Sequence, residues 1–173
     1  MTLHQTTIRL TILGPFIAAA TGSSVYGLHR AFHRDGRDQL LIPQSHVKGK
    51  LRMALEECLD LRAIAIALGP LQTPLVFSLL GRPSAAGSYE PETGSLRFTD
   101  FRFIGTAHNG VRSRTRIEPV SGTAAEQTLR QTEDAFASGA ETVWEGRALF
   151  ASRDDAETTR VLNLLRLGFT WLT

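Results

Sequence analysis

The run Leu41-Ile42-Pro43-Gln44-Ser45-His46-Val47-Lys48-Gly49-Lys50-Leu51-Arg52 joins a short apolar stretch, a proline and a polar, cationic segment. A strand that stops at Pro43 and a helix that starts with Ser45 as N-cap would leave backbone N–H groups free at the helix start. Such a start favours an anion. Lys48 and Arg52 are four residues apart and therefore share a helical face. A phosphate there would meet donors, the helix dipole and two cations together. The plainer reading is a capped amphipathic helix with solvated lysines. A second run, Arg112-Ser113-Arg114-Thr115-Arg116, puts three guanidiniums on one side of a strand. Like charges so close are unfavourable unless an anion offsets them. Glu118 and acids from other segments are one possible balance, and a nucleic-acid backbone is the other.

Histidines raise the question of catalysis. His29 and His33 lie near Tyr26, Arg30 and Arg34. A metal-free ribonuclease uses a histidine as general base and an arginine to hold a phosphorane. Phosphate contact by Arg30, Arg34 and His29 is the simpler reading. Asp35, Asp38 and Asp100 are possible metal ligands but form no tight carboxylate cluster in sequence. Gly22-Ser23-Ser24 is too generic for a nucleotide loop, and no Walker motif occurs. No metal or cofactor is expected.

The elements that must position these residues follow from periodicity. Residues 7–13 alternate, with Ile8, Leu10 and Ile12 on one face, as in a half-buried strand. Residues 17–39 read as a long irregular loop, and 40–42 as a short strand. Val47, Leu51, Ala54, Leu55, Cys58 and Leu59 then give one helical face. Prolines and glycines punctuate 70–94, an irregular insertion in which 76–80 form a helical turn. Leu96, Phe98, Phe101 and Phe103 mark a strand with a one-residue offset near Asp100, read as a bulge. Asn109-Gly110 suggests a tight hairpin turn. Residues 142–150 alternate again, 155–167 form a last helix, and Phe169-Thr170-Trp171 begin a final strand. The order β, α, β, β, β, α predicts an α+β fold of the ferredoxin or RNA-recognition-motif type in one domain spanning 1–173.

Composition bounds the class. The 173 residues are 42% hydrophobic and 21% charged, which excludes wholesale disorder. One cysteine excludes an internal disulfide and a multi-cysteine zinc site. No apolar run reaches the ~20 residues of a membrane span, and the N-terminus lacks a signal-peptide pattern. A cytoplasmic protein with no membrane partner is expected. The net charge of +2 is modest, but its distribution is uneven. Between 30 and 52 there are six Lys/Arg and two acids, a segregation that suits a polyanion.

The motifs together resemble the RAMP superfamily of CRISPR systems. Ile42-Pro43-Gln44-Ser45-His46-Val47-Lys48-Gly49-Lys50-Leu51-Arg52 is similar to its I-P-G-S-S-L-K-G-x-L-R signature. Phe77-Ser78-Leu79-Leu80-Gly81 resembles F-x-L-F-G, and Gly94-Ser95-Leu96-Arg97-Phe98-Thr99-Asp100 resembles G-x-L-x-F-x-D. Arg114-Thr115-Arg116-Ile117-Glu118-Pro119, followed by Ser121-Gly122-Thr123-Ala124, resembles R-x-R-I-x-P-x-T-G-T-A. The resemblance covers nearly the whole chain and is nearest to backbone subunits of type III effectors and their derivatives.

It implies an RNA-recognition-type core with inserted loops and a thumb-like β-hairpin at about 105–135. It also implies copies of the chain stacked along a CRISPR RNA, with complementary target RNA, other effector subunits and a separate nuclease as partners. Ser45, His46, Lys48, Lys50 and Arg52 would contact the guide, with His29, Arg30, Arg34, Arg112, Arg114 and Arg116 as further RNA contacts. Slicing members carry an aspartate in the loop before the signature; here His29 stands at that place. The resemblance therefore implies a copy that does not cleave its target. Gln44 replaces the signature glycine, and the usual zinc-binding cysteines and glycine-rich tail are missing. Three classes compete: a non-cleaving RNA-binding subunit, a ribonuclease using Asp35 or Asp38 with a metal or His29 for guide processing, and a protein-only module whose basic clusters meet acidic partners.

Overall fold

The computed structural model describes residues 1–19, 28, 30–60, 72–82, 92–108 and 110–172. Its fold is mixed α+β with a mainly antiparallel sheet and three helices among the described residues. The contacts divide the chain into two compact units, one of Met1–Ile8, Gln44–Thr99 and Gly146–Thr173, the other of Arg9–Pro43 and Asp100–Glu145. Two twelve-residue strands, β1 (Thr2–Leu13) and β9 (Glu141–Ser152), contribute residues to both. No described helix is long and apolar enough to cross a membrane.

In the first unit, helix α1 (Gln44–Asp60) buries Val47, Leu51, Ala54, Leu55 and Cys58, the face expected from the sequence. The helix already begins at Gln44, so Ser45 lies in the first turn instead of at the cap. Helix α2 (Gln72–Leu80) is longer than the single turn expected at 76–80. Strands β3 (Gly81–Arg82) and β4 (Glu92–Thr93) pair antiparallel, so part of the 70–94 insertion is regular. Strand β5 (Arg97–Phe98) pairs with β9 through Phe98 and Ala148.

Helix α3 (Asp155–Trp171) is capped by Asp154, whose carboxylate accepts the Glu157 N–H at 2.7 Å, while Glu157 Oε2 accepts the Arg153 N–H at 2.6 Å. That exchange is close to a capping box. The helix runs through Phe169, Thr170 and Trp171, so the expected final strand is helical instead. Trp171 Nε1 donates to Glu57 at 3.1 Å, anchoring the last turn on α1. The two helices cross closely at Gly168, where an added Cβ would stand 2.4 Å from Leu51 Cδ1.

In the second unit, β6 (Phe101–Ile104) lies between β9 and β2 (Leu41–Ile42), and β1 flanks β9 on the other side. The register of β6 against β9, with Arg102 opposite Glu145, is one residue out of step with that of β5. This is the offset read from Phe98 and Phe101. Trp144 is fully buried among Phe16, Phe32, Phe103 and Phe136, with ring centroids 5.3–6.3 Å away. Each such pair contributes about 0.5–1.5 kcal/mol beyond its burial. Its indole N–H donates to Thr142, whose hydroxyl donates to the Ile12 carbonyl, so the buried polar groups are satisfied.

Strand β7 (Gly110–Arg114) pairs with β8 (Arg130–Asp134). Gly110 is thus a strand residue opposite Asp134, and Asn109, the other half of the tight turn expected there, lies outside the described residues. A Cβ there would meet the Asp134 carbonyl oxygen at 2.5 Å, so the glycine serves close approach of two strands.

Candidate nucleic-acid interface

Within the second unit, the β7–β8 ladder sets Arg112 opposite Thr132 and Arg114 opposite Arg130. Alternation puts Arg112 and Arg114 on one face of β7, and their cross-strand partners share that face. Arg30 joins β8 from the other side by a parallel bridge to Thr132, and its carbonyl accepts the Glu133 N–H at 2.9 Å. Bridged residues project to the same side, so Arg30, Arg112, Arg114 and Arg130 occupy one face.

Asp134 is bonded to Arg112, at 3.1 Å from Nε and 2.8 Å from Nη2. The guanidiniums of Arg30, Arg114 and Arg130 have no hydrogen-bond or ion-pair partner among the described residues. Two arginines placed directly across a ladder repel each other, by about 1 kcal/mol or less in water.

The hairpin extends past the ladder. Thr128 accepts the Arg116 N–H at 3.2 Å, Ile117 bridges Ala124, and Gly122 turns the chain at φ +67°. Arg116 is exposed there, and Val120 at the tip is 99% exposed. Glu118, one possible balance for the arginines, makes no ion pair among the described residues.

The loop residues divide. Arg34 is held by the Glu133 carboxylate and by Asp38, whose carbonyl accepts its Nη1 at 3.1 Å. Glu133 also accepts the Phe32 N–H at 2.7 Å. Arg34 therefore fastens the loop to β8 and is not a free contact. Asp35 Oδ1 accepts the N–H groups of Arg37 and Gln39 at 2.9 and 3.0 Å. Those two bonds, aided by the Arg102 and Arg37 charges, hold its carboxyl below the usual range. It is a turn-forming carboxylate. His29 lies outside the described residues. No group of three metal-ligating side chains occurs among the described residues.

In the first unit, Ser45, His46 and Lys50 are exposed on α1. Lys48 and Arg52 turn toward the protein: Lys48 Nζ donates to the Leu96 carbonyl at 3.2 Å, and Arg52 Nη2 donates to the Leu80 carbonyl. Leu80 and Leu96 belong to the next two motif segments. Those segments are themselves joined, since Leu96 N–H donates to Leu79 at 2.9 Å and Ser95 N–H to Ser78 at 3.0 Å. A Cβ on Gly94 would lie 2.2 Å from the Leu79 oxygen. The stretches around Lys48–Arg52, Ser78–Leu80 and Gly94–Leu96 thus converge, with Lys48 and Arg52 as fasteners. Burial lowers the Lys48 ammonium below its ordinary value, and the Arg52 and Arg97 charges lower it further.

Sequence reasoning missed Arg130 and Arg97. Arg130 becomes visible only with the register of β7 on β8; Ser121-Gly122 was the turn signal that could have located that hairpin. Arg97 sat at a variable position of a motif, and only the Lys48–Leu96 contact draws attention to it.

No protein-family model matches the chain, and no curated protein matches it.

Proposed function

We propose that this chain is a guide-RNA-binding backbone subunit of a CRISPR effector complex of the RAMP kind. It stacks in several copies along the guide and supports recognition of complementary target RNA without cleaving it. Other effector subunits and a separate nuclease complete the assembly. The observation that carries this reading is the shared face of Arg30, Arg112, Arg114 and Arg130, where, among the described residues, a single carboxylate is bonded to a single arginine. Such a face lowers its own repulsion by taking up a polyanion.

Two further observations support the reading. The segments that carry the resemblance are joined through Lys48 and Arg52, which supports reading them as parts of one unit. Strand order supports it too: β9 lies between β1 and the β5/β6 stretch, α1 falls in the connection between the outer two, and α3 follows β9. This order supports the reading of an RNA-recognition-type core, in which β2 adds at the β6 edge and the β7–β8 hairpin takes the part of the thumb. The turn bonds of Asp35 favour the non-cleaving form over a metal-dependent slicer.

The test is co-purification followed by challenge. The chain expressed with its guide should carry RNA, read as a raised 260/280 nm absorbance ratio. It should leave complementary labelled RNA intact in magnesium. Protein free of nucleic acid at low salt contradicts the reading, and regularly spaced fragments lost in Asp35→Ala contradict its non-cleaving part.

A further inference from the structure

We propose that Arg97 is a phosphate contact for single-stranded RNA in the first unit, held in place by Lys48 and Arg52 acting as positioning residues. The inference rests on the RNA-binding reading and deepens it by naming a contact that the motifs do not assign.

The geometry begins with the short segment before β5. Residues 95 and 96 are tied to 78 and 79 by backbone hydrogen bonds. Gly94 sits so close to the carbonyl of Leu79 that no side chain fits. From α1, Lys48 grips the Leu96 carbonyl, the oxygen of the peptide unit that leads into Arg97, and Arg52 grips the Leu80 carbonyl. On its other side Arg97 is fixed in register opposite Leu149 of β9. The backbone at Arg97 is therefore held by α1, by the end of α2 and by β9 together.

Its side chain is exposed and has no partner among the described residues. Leu96 and Phe98, its neighbours, are buried, so the alternation of the strand projects Arg97 away from the core. Lys48, Arg52 and Arg97 share one electrostatic neighbourhood, with no carboxylate bonded to any of them among the described residues. An anion on Arg97 would relieve that repulsion, which adds to burial in holding the Lys48 ammonium low. A phosphodiester fits because guanidinium presents a planar pair of N–H donors to two phosphate oxygens.

The experiment measures binding of a fluorescent single-stranded oligoribonucleotide across a salt series for the unaltered chain, Arg97→Ala, Arg97→Lys and Arg114→Ala/Arg130→Ala. Arg97→Ala should weaken binding about five- to tenfold and reduce the slope of log affinity against log salt by about 0.7, the value for one phosphate on a single strand. Arg97→Lys should restore most of the slope, which a merely structural role would not do. Arg97→Ala should melt like the unaltered chain. Unchanged affinity and slope in Arg97→Ala, with binding lost in the hairpin variant, overturn this inference and leave the broader reading standing. No RNA binding by the unaltered chain at low salt overturns both.

Discussion

Arg114 stands directly opposite Arg130 on the β7–β8 ladder, with Arg30 bridged to the same strand and the nearest bonded acid, Asp134, already held by Arg112. The arrangement sacrifices hairpin stability for positive charge on one face. Arg130→Glu should therefore act in opposite directions on two observables. It converts a repulsive cross-strand pair into an attractive one, so the chain should be stabilised by about 0.2–1 kcal/mol in thermal or urea unfolding. It should also weaken single-stranded RNA binding by about tenfold or more in the same buffer. A variant that is both more stable and equally tight in binding would remove the functional reason for the pair.

Lys48 gives a pH signature. Burial and two neighbouring cations hold its ammonium below the ordinary lysine value in the folded chain. Between the folded and the ordinary value the unfolded chain binds more protons, so stability rises with pH across that window. Below the folded value both states are protonated and the full penalty is present. Unfolding free energy measured against pH for the unaltered chain and Lys48→Met should diverge in that alkaline window, with the unaltered chain gaining. Saturating RNA should move the Lys48 titration, followed by side-chain NMR, back up toward its ordinary value.

Asp35 gives the opposite case. Its carboxyl is held low by the N–H groups of Gln39 and Arg37. The stabilisation is complete above the ordinary carboxylate value and disappears as pH falls through the folded one. Asp35→Asn should melt at a lower temperature than the unaltered chain at neutral pH. The two melting curves should approach each other in acid.

Gly168 tests the helix crossing of the first unit. A Cβ there would meet Leu51 Cδ1 at 2.4 Å and Leu55 Cγ at 3.0 Å. Gly168→Ala should cost about 1–3 kcal/mol in urea unfolding despite alanine's better helix propensity, because overpacking outweighs that gain.

The sequence revealed elements with strong periodicity and concealed relationships that depend on register. Val47, Leu51, Leu55 and Cys58 announced the buried face of α1, and the break between Phe98 and Phe101 announced the offset against β9. Phe169-Thr170-Trp171 misled because aromatic and β-branched residues favour strands; docking of Trp171 on Glu57 overrides that local preference. Gly110, read as a turn glycine, stands in β7, because glycine also serves close strand approach.

For the candidate site, residue types were readable and their engagement was not. Spacing alone could not reveal that Lys48 and Arg52 grip carbonyls, or that Arg34 is held by Glu133, ninety-nine positions away. Charge counts found the arginines at 112–116. Only three-dimensional pairing added Arg130 and brought Arg30 to the same face.

The central claim is that the arginine face of the hairpin binds a phosphodiester strand. It is tested most directly by the salt dependence of single-stranded RNA binding in the unaltered chain and in Arg114→Ala/Arg130→Ala. The account predicts a steep inverse dependence for the unaltered chain, and a slope shallower by about 1.4 in the variant, two contacts at about 0.7 each. Equal slopes and equal affinities for the two proteins would contradict it.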